Sequence, residues 1–267
     1  MLKRVVLICW ICLWTACQGI AAEKDVPNSW TVYMYICGSN LESQNGAATQ
    51  DMTEIINTKL PENVKVLIQT GGAKTWHNNM VKAGKIQRFV HTGEPGTLNS
   101  VDEQPDANMS DPATLKDFLA FGQKNFPAQH NAFIFWDHGG GSVVGAISDE
   151  NHQGDSLTLN EMEEAFSAVY PQPGAKKPFE IIGFDTCLMS TIDTAKNFQP
   201  YGKYLVASEE IEPGNGWYYT PWLTALGNNP NMASSDIGKN ICDSYMEGCK
   251  NVKTDAQATL AVTDLSK

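Results

Sequence analysis

Two short segments bring together residue types that can perform nucleophilic catalysis. The first, FIFWDHGGG at 133–141, ends an apolar run in Asp137 and His138 and continues with three glycines. The second, FEIIGFDTC at 179–187, ends an apolar run in Asp185 and then reaches Cys187. A thiolate is the nucleophile of thiol catalysis, and a neighbouring imidazole activates it and protonates the leaving amine. The pattern therefore predicts a catalytic dyad of His138 and Cys187.

The glycine after His138 has a separate predicted purpose. Because it has no Cβ, the backbone N–H of Gly139 can approach a substrate carbonyl closely. Together with the N–H of Cys187 it would form an oxyanion hole. A histidine at a strand end is usually just hydrogen-bonded, and a cysteine in an apolar stretch is usually core. The prediction therefore rests on the two occurring together.

Other catalytic and cofactor motifs do not fit. GGGSVVG at 139–145 lacks both the GxGxxG spacing and the lysine of a phosphate-binding loop, and no GxSxG elbow is present. No CxxC or His/Cys cluster indicates zinc. We therefore predict no cofactor. Asp149, Glu150 and Asp155 could bind calcium in their loop, although a solvated acidic loop is the simpler interpretation.

A dyad of this kind requires strands that deliver both residues to one edge of a sheet. Six nearly continuous apolar segments are typical of buried strands in a mainly parallel sheet. They are 30–37, 64–70, 131–136, 179–184, 203–208 and 258–263. A seventh segment, 84–90, alternates in polarity and predicts a peripheral hairpin strand.

Helical patterns separate these strands, and the alternation predicts a doubly wound α/β sandwich. Asp111 with Pro112 and the sequence from Thr158 to Glu161 are helix-start signals. Further helices are predicted from Thr220 to Gly227 and around 237–245. Long connections at 91–110, 139–157 and 211–219 remain. The last two follow strands directly, so they are expected at the carboxyl edge, where open α/β sheets bind ligands.

The composition limits the partners that can be expected. The chain has 267 residues, a formal net charge of −11 and a pI near 4.9. Such a balance argues against nucleic acid or an anionic membrane surface as the main partner.

Residues 1–22 predict an export signal. Lys3 and Arg4 precede an apolar run at 5–14 that is too short to span a membrane, and small residues follow. Two processing routes compete. Cys17 after Thr15-Ala16 is typical of a bacterial lipoprotein acceptor, which would give a lipid-anchored protein at the outer membrane or cell surface. Cleavage near residues 21–22 would instead release a periplasmic or secreted protein. A membrane is thus expected as a partner only through the lipid anchor.

Four cysteines follow the predicted signal: Cys37, Cys187, Cys242 and Cys249. Cys242 and Cys249 lie seven residues apart on a predicted helix, which separates them by about 10 Å along its axis. That distance exceeds the reach of a disulfide. We therefore expect the thiols to remain free.

The two catalytic segments, with YICGSNLE at 35–42, GDSLTLNEMEEAF at 154–166 and ASEEIEPGNGWYY at 207–219, resemble the clostripain family of cysteine peptidases. The resemblance covers about residues 30–265. It implies a caspase-like α/β/α sandwich with a mostly parallel six-stranded sheet over 23–267, in a chain truncated at its carboxyl end. It also implies a His138/Cys187 dyad and cleavage after Arg or Lys. Asp185, two residues before Cys187, is the ligand that the resemblance implies for the substrate cation.

Several residues are candidates for the substrate pocket. A carboxylate such as Asp185 pairs bidentately with Arg or singly with Lys, although it could simply cap the next helix. Glu209, Glu210 and Glu212 follow the next strand, and one of them is expected to line the same pocket. Trp217 is a candidate apolar wall, and an ordinary core position is an equal alternative. Near the end of the first strand, Asn40 and Glu42 could organise the site, whereas Cys37 is better explained as structural.

The predicted function is an exported cysteine endopeptidase acting on proteins or peptides with basic residues. One alternative is a catalytically idle surface binding protein on the same fold. The other is a peptidase of the same mechanism without basic specificity. Residues 139–175 contain no Lys or Arg. An enzyme with basic specificity is therefore not expected to cut itself there, and Lys176 offers the first permitted bond.

Overall fold

The computed structural model describes residues 26–171 and 176–267, so the predicted export signal and Cys17 lie outside the described residues. The strands are β1 (Trp30–Cys37), β2 (Val64–Gly71), β3 (Lys85–His91), β4 (Asn99–Pro105), β5 (His130–Trp136), β6 (Ala146–Asp149), β7 (Asp155–Leu157), β8 (Phe179–Asp185), β9 (Gly202–Ala207) and β10 (Ala261–Asp264). The α-helices are α1 (Ser39–Asn45), α2 (Ala47–Asn57), α3 (Pro112–Asn125), α4 (Gly141–Val144), α5 (Leu159–Val169), α6 (Ile192–Phe198), α7 (Tyr219–Asn228) and α8 (Ser234–Val252).

The main sheet has eight strands in the order β10-β9-β8-β5-β1-β2-β3-β4. The five strands from β9 to β2 are parallel, whereas β10, β3 and β4 are antiparallel to their neighbours. The α/β sandwich and mostly parallel sheet are therefore confirmed, but the prediction of six strands was wrong. The peripheral strand β3 joins the sheet and brings β4 with it as a hairpin.

The additional strands have polar sequences, so the hydrophobic pattern of the sequence does not predict them. The connection 91–110 contains β4, whose sequence NSVDEQP is mostly exposed and carries no apolar alternation. The connection 139–157 contains α4 and the two-stranded sheet of β6 and β7. Both segments were predicted as long loops. Strands at the edge of a sheet or outside it do not need the apolar sequence of a buried strand.

The two faces of the sheet carry different cores. The phenylalanine face packs against α3, α5 and α6, and its buried rings include Phe118, Phe133, Phe135 and Phe166. The tryptophan face packs against α2, α7 and α8 and includes Trp136, Trp217 and Trp222. Successive residues of a strand point to opposite faces. Trp136 and Phe135, which are neighbours in β5, therefore belong to different cores.

Helix starts follow the predicted capping chemistry. The Asp111 carboxylate accepts a hydrogen bond from Ala113 N at 2.8 Å, with Pro112 in the first turn of α3. Thr158 and Glu161 form a reciprocal capping box at the start of α5. All four cysteines of the described part are free thiols, as predicted. Within residues 26–171 and 176–267, no helix is long and apolar enough to cross a membrane.

Candidate active site

The parallel pairing of β5 with β8 places the two predicted catalytic segments side by side. Trp136 lies opposite Asp185 in the register, so His138 and Cys187 each emerge two residues beyond paired positions at the carboxyl edge of the sheet. Both residues line one pocket of about 240 Å³. The structure thus brings together the imidazole and the thiol that the sequence paired.

Gly139 lies directly against the backbone of Cys187. A Cβ at residue 139 would be 2.1 Å from the carbonyl oxygen of Cys187 and 3.0 Å from its nitrogen. No side chain larger than hydrogen fits at such a separation. The backbone of residue 139 therefore reaches the Cys187 N–H, which is the proximity that an oxyanion hole built from these two residues requires.

Asn40 fixes the orientation of the His138 ring. Its Oδ1 lies 2.7 Å from His138 Nε2. Because an amide oxygen can only accept, Nε2 carries the proton and Nδ1 is left as the basic nitrogen. Burial lowers the pKa of His138 and so favours the neutral ring. Glu42 lies in the same helix but turns away, since its carboxylate accepts hydrogen bonds from Thr49 N and His77 N.

Asp137 anchors the loop that carries His138. It is buried, and it accepts hydrogen bonds from Ser39 Oγ at 2.6 Å and from Ser148 N. Burial raises the pKa of Asp137 to about 7, against the lowering effect of these donors. Cys37 lies beneath it, and burial, followed by the charges of Asp137 and Asp149, raises the pKa of that thiol. Cys37 is fully buried and does not line the pocket, and its structural role stays a prediction.

Several residues next to Asn40, His138 and Cys187 have a strained backbone conformation. Ser39, Ile147 and Leu188 have positive φ angles of 47°, 67° and 64° although none is glycine. Ser39 precedes Asn40, Leu188 follows Cys187, and the Ile147 N–H binds the carbonyl of His138 at 3.0 Å. Such conformations are costly for side chains of this size and tend to occur at functional sites.

Three buried carboxyl groups line the pocket in addition to Asp137. Asp51 from α2, Asp185 from β8 and Glu212 from the loop after β9 are 3 %, 5 % and 9 % exposed. A Cβ at Gly216 would lie 3.1 Å from Asp51 Oδ2 and 3.4 Å from Asp185 Oδ1, so these two carboxylates face the same small space.

Neutral donors hold two of these carboxyl groups in place. Asp185 accepts from Tyr219 Oη at 2.7 Å and from Trp217 N at 3.2 Å. Asp51 accepts from Trp136 Nε1 at 2.7 Å. Neither carboxylate oxygen of Glu212 has a partner that meets hydrogen-bond geometry among the described residues. Glu212 is therefore the least satisfied of the three.

The pocket concentrates buried carboxyl groups that have no cation partner in the described chain. Within residues 26–171 and 176–267, no Lys, Arg or His nitrogen lies within 4 Å of these three carboxylates. Burial raises the pKa of Asp185 to about 6. Burial and the neighbouring Asp185 charge raise the pKa values of Asp51 and Glu212 well above those of ordinary carboxyl groups. A bound cation would relieve this cost.

The other predicted pocket residues lie elsewhere. Glu209 and Glu210 are exposed and do not line the pocket, whereas Glu212 does. The Trp217 ring is buried in the tryptophan face, and its backbone N–H, rather than its ring, serves the pocket by holding Asp185.

Sequence reasoning missed Asp51. In α2 it shares a buried face with Ala48, Met52 and Ile55. An acidic residue on the apolar stripe of a helix is the signal that could have identified it.

The acidic loop that could have bound calcium is organised by hydrogen bonds to protein. Buried Asp149 accepts from Met109 N and Asn151 N, both at 2.8 Å, and Glu150 accepts from Lys74 N. Across the described residues, no group of three His, Cys, Asp or Glu side chains is arranged to hold a metal. The prediction that the protein has no cofactor, with calcium in this loop as the less simple alternative, stays untested.

The model of the clostripain family, peptidase family C11, matches residues 34–267. The chain belongs to the clostripain family. Clostripain from Hathewaya histolytica is 28 % identical over an alignment of 138 residues, and the match covers 45 % of this chain and 25 % of that protein.

Solved structures of the same peptidase group share the fold. Iotapain, a secreted C11 cysteine protease from Bacteroides thetaiotaomicron, matches with a TM-score of 0.70 and 20 % identity over 90 % of this chain and 67 % of that one. An inactive zymogen of a C11 protease from Parabacteroides distasonis matches with a TM-score of 0.64 and 22 % identity, over 89 % of this chain and 62 % of that one. The chain thus spans a quarter of the curated clostripain and about two thirds of these structures.

Proposed function

We propose that this clostripain-family chain is an exported cysteine endopeptidase that cleaves peptide bonds after Arg or Lys. The observation that carries the basic specificity is the pocket with three buried carboxyl groups, Asp51, Asp185 and Glu212, next to Cys187. A side chain entering such a pocket must bring positive charge, because any neutral group would leave the carboxylates unpaired.

In the proposed reaction His138 and Cys187 act as a unit. The neutral imidazole, held by Asn40, takes the thiol proton on its free Nδ1. The Cys187 sulfur then attacks the scissile carbonyl, and the oxyanion is stabilised by the N–H groups of Gly139 and Cys187. His138 returns the proton to the leaving amine, and water later hydrolyses the thioester.

The pocket would discriminate by the charge of the residue before the scissile bond. An arginine guanidinium can engage two carboxylates at once, and a lysine ammonium can engage them as a point charge. A neutral side chain loses these pairs and is disfavoured by roughly 2–4 kcal/mol. Asp185 has the strongest role in this proposal because Tyr219 and Trp217 hold it in a fixed orientation.

Two alternatives make different predictions. A catalytically idle binding protein would need neither a reactive thiol nor Asn40 to orient an imidazole. A peptidase without basic specificity would label at Cys187 but would not depend on Asp185. The placement of His138 and Cys187 in one pocket favours an enzyme over the idle protein, and the carboxyl groups without a cation partner favour basic specificity.

A digest of a peptide library by the full chain, read by mass spectrometry, tests the proposal. Cleavage is expected after Arg and Lys. Asp185→Asn should lower kcat/KM for basic substrates at least about tenfold more than for neutral ones. Glu209→Gln is the matched control, since it removes an exposed carboxylate outside the pocket. Equal losses on both substrate types would contradict the role of Asp185 in specificity.

Export rests on the leader sequence together with the description of iotapain as secreted. Mass spectrometry of the mature amino terminus would distinguish a lipid-modified Cys17 from cleavage near residues 21–22.

A further inference from the structure

A second concavity lies next to the catalytic pocket. It is a groove of about 500 Å³ between the loop after β9 and the segment 256–259 that precedes β10. Ile211, Glu212 and Pro213 line both the pocket and the groove. The groove is therefore directly adjacent to the pocket.

The order of the strands decides which part of a substrate points toward the groove. His138 follows β5, Cys187 follows β8, and the groove lies beyond β9 and β10, on the side of Cys187 away from His138. The leaving amine must lie next to His138 to receive its proton. The amino-terminal part of the substrate stays attached to the acyl carbon on Cys187 and so extends toward the groove.

Side-chain hydrogen bonds at two places hold the walls of the groove at a fixed separation. At one end the Thr259 hydroxyl bonds Ser208 Oγ at 2.8 Å and accepts from Glu210 N at 3.3 Å. At the other, Thr254 Oγ1 donates to Asn215 Oδ1 at 2.9 Å. The groove is therefore formed before a ligand arrives, which reduces the ordering cost of binding.

Four of the eight residues that line the groove are apolar, and the others are Glu210, Glu212, Gln257 and Thr259. Ile211 is 67 % exposed, which is unusual for a large aliphatic side chain, and Pro213, Ala256 and Ala258 surround it. The hydroxyls that could recognise a polar ligand are already bonded to each other. Glu210 lies at the rim, where a carboxylate would repel an acidic ligand.

We propose that this groove is a second specificity site, which binds an aliphatic side chain two to four residues before the scissile bond. The proposal rests on the proposed peptidase function and deepens it. An extended peptide advances about 3.3 Å per residue, so residues at these positions reach the groove from the pocket. Burying Ile211 against an aliphatic side chain removes apolar surface from water and strengthens binding.

The test uses the full chain and fluorogenic tetrapeptide amides with Arg or Lys before the dye. Such substrates have no residue after the scissile bond, so they report only on the amino-terminal side. At one or more of the three varied positions, substrates with an aliphatic residue should have a kcat/KM about tenfold higher than substrates with Asp or Glu. Ile211→Ser should abolish this preference, and Ala256→Trp, which fills the groove, should do the same.

Two controls separate this proposal from the catalytic one. Ile192→Ser removes an 86 % exposed isoleucine that lines neither concavity, and it should leave the profile unchanged. A blocked single-arginine amide does not reach the groove, so the Ala256→Trp variant, whose changed residue lines the groove and not the pocket, should cleave it within about twofold of the wild-type rate.

The groove assignment would be overturned if kcat/KM of the wild-type protein did not depend on the residues at the three varied positions, or if it rose only with basic residues there. The proposed peptidase function would be unaffected. A preference that survives both groove variants would overturn the groove assignment equally. If the wild-type chain cleaves no bond after Arg or Lys, the proposed function fails and this inference fails with it.

Discussion

The two faces of the central sheet differ in the kinds of side chain that they bury. On the phenylalanine face, rings from β5, β8, α3 and α5 pack in stacked and edge-to-face pairs, such as Phe135 with Phe184 at 4.7 Å between centroids. On the tryptophan face, the same strands end in a pocket where Asp51, Asp185 and Glu212 are buried without a cation. Both faces bury apolar cores that stabilise the fold, but the tryptophan face also carries buried carboxyl groups whose desolvation costs stability. The difference shows where stability and function are located.

The largest expected effect separates catalysis from folding. Cys187→Ala should lower turnover at least about 10⁴-fold, because no other group in the site can replace the nucleophile, and His138→Ala should lose nearly as much. The half-buried position of Cys187 at the sheet edge implies a change of only about 0.5 kcal/mol in the free energy of unfolding. Kinetic assays and urea denaturation of the same samples check both statements. Retention of most activity in either variant would refute the dyad.

The phenylalanine face should behave in the opposite way. Phe133→Ala removes a fully buried ring that contacts Tyr33, Phe118 and Phe166, and should destabilise the fold by about 3–5 kcal/mol. Activity per folded molecule should stay within about twofold, since the ring lies on the other side of the sheet from the pocket. Urea denaturation, with exposed Ile192→Ala as control, measures the loss. A selective loss of activity without destabilisation would contradict the division between the faces.

Removing a pocket charge should stabilise the protein. The pKa of Asp185 is raised to about 6, so the native state binds more protons than the unfolded state between about pH 4 and 6. The cost of the buried charge is absent below the unfolded pKa, and it is fully present above the folded one. Asp185→Asn should therefore raise the free energy of unfolding by about 1–3 kcal/mol at pH 8 and by less at pH 5. Destabilisation at pH 8 would show that the charged form is needed for folding.

The smallest expected effect concerns Asn40. Asn40→Ala should lower kcat about 10–100-fold with little change in KM, because the ring of His138 loses its fixed tautomer. Asn40→Asp supplies a carboxylate that favours the charged imidazole. It should therefore move the acid limb of the kcat/KM profile to higher pH. An unchanged pH profile in Asn40→Asp would limit Asn40 to a structural role.

The sequence predicted those parts of the molecule that follow from buried strands. His138, Gly139 and Cys187 could be placed together because each follows an apolar strand, and parallel neighbours end at the same edge. Glu212 could only be named as one of three candidates, since exposure along an irregular loop is set by tertiary packing. Asp51 could not be placed at the pocket, because it comes from a helix that lies more than 80 residues before His138.

The polar elements were the least predictable. β4 and the hairpin of β6 and β7 have no apolar periodicity, so hydrophobic patterning gives them no signal. Yet the β6–β7 region supplies Ser148, whose N–H binds Asp137 behind the catalytic histidine. Part of the support for the site thus comes from segments that only long-range hydrogen bonds define.

Because Trp136 donates a hydrogen bond to Asp51, the fluorescence of Trp136 can report on what occupies the pocket. The indole forms part of the pocket wall, and its N–H points at one of the carboxylates that would receive a cation. When a cation binds beside Asp51, the electric field across the indole changes, and so does the energy of its excited state. The emission of Trp136 would therefore report occupancy of the pocket in an unlabelled protein, and would do so in a Cys187→Ala variant that binds substrate without cutting it.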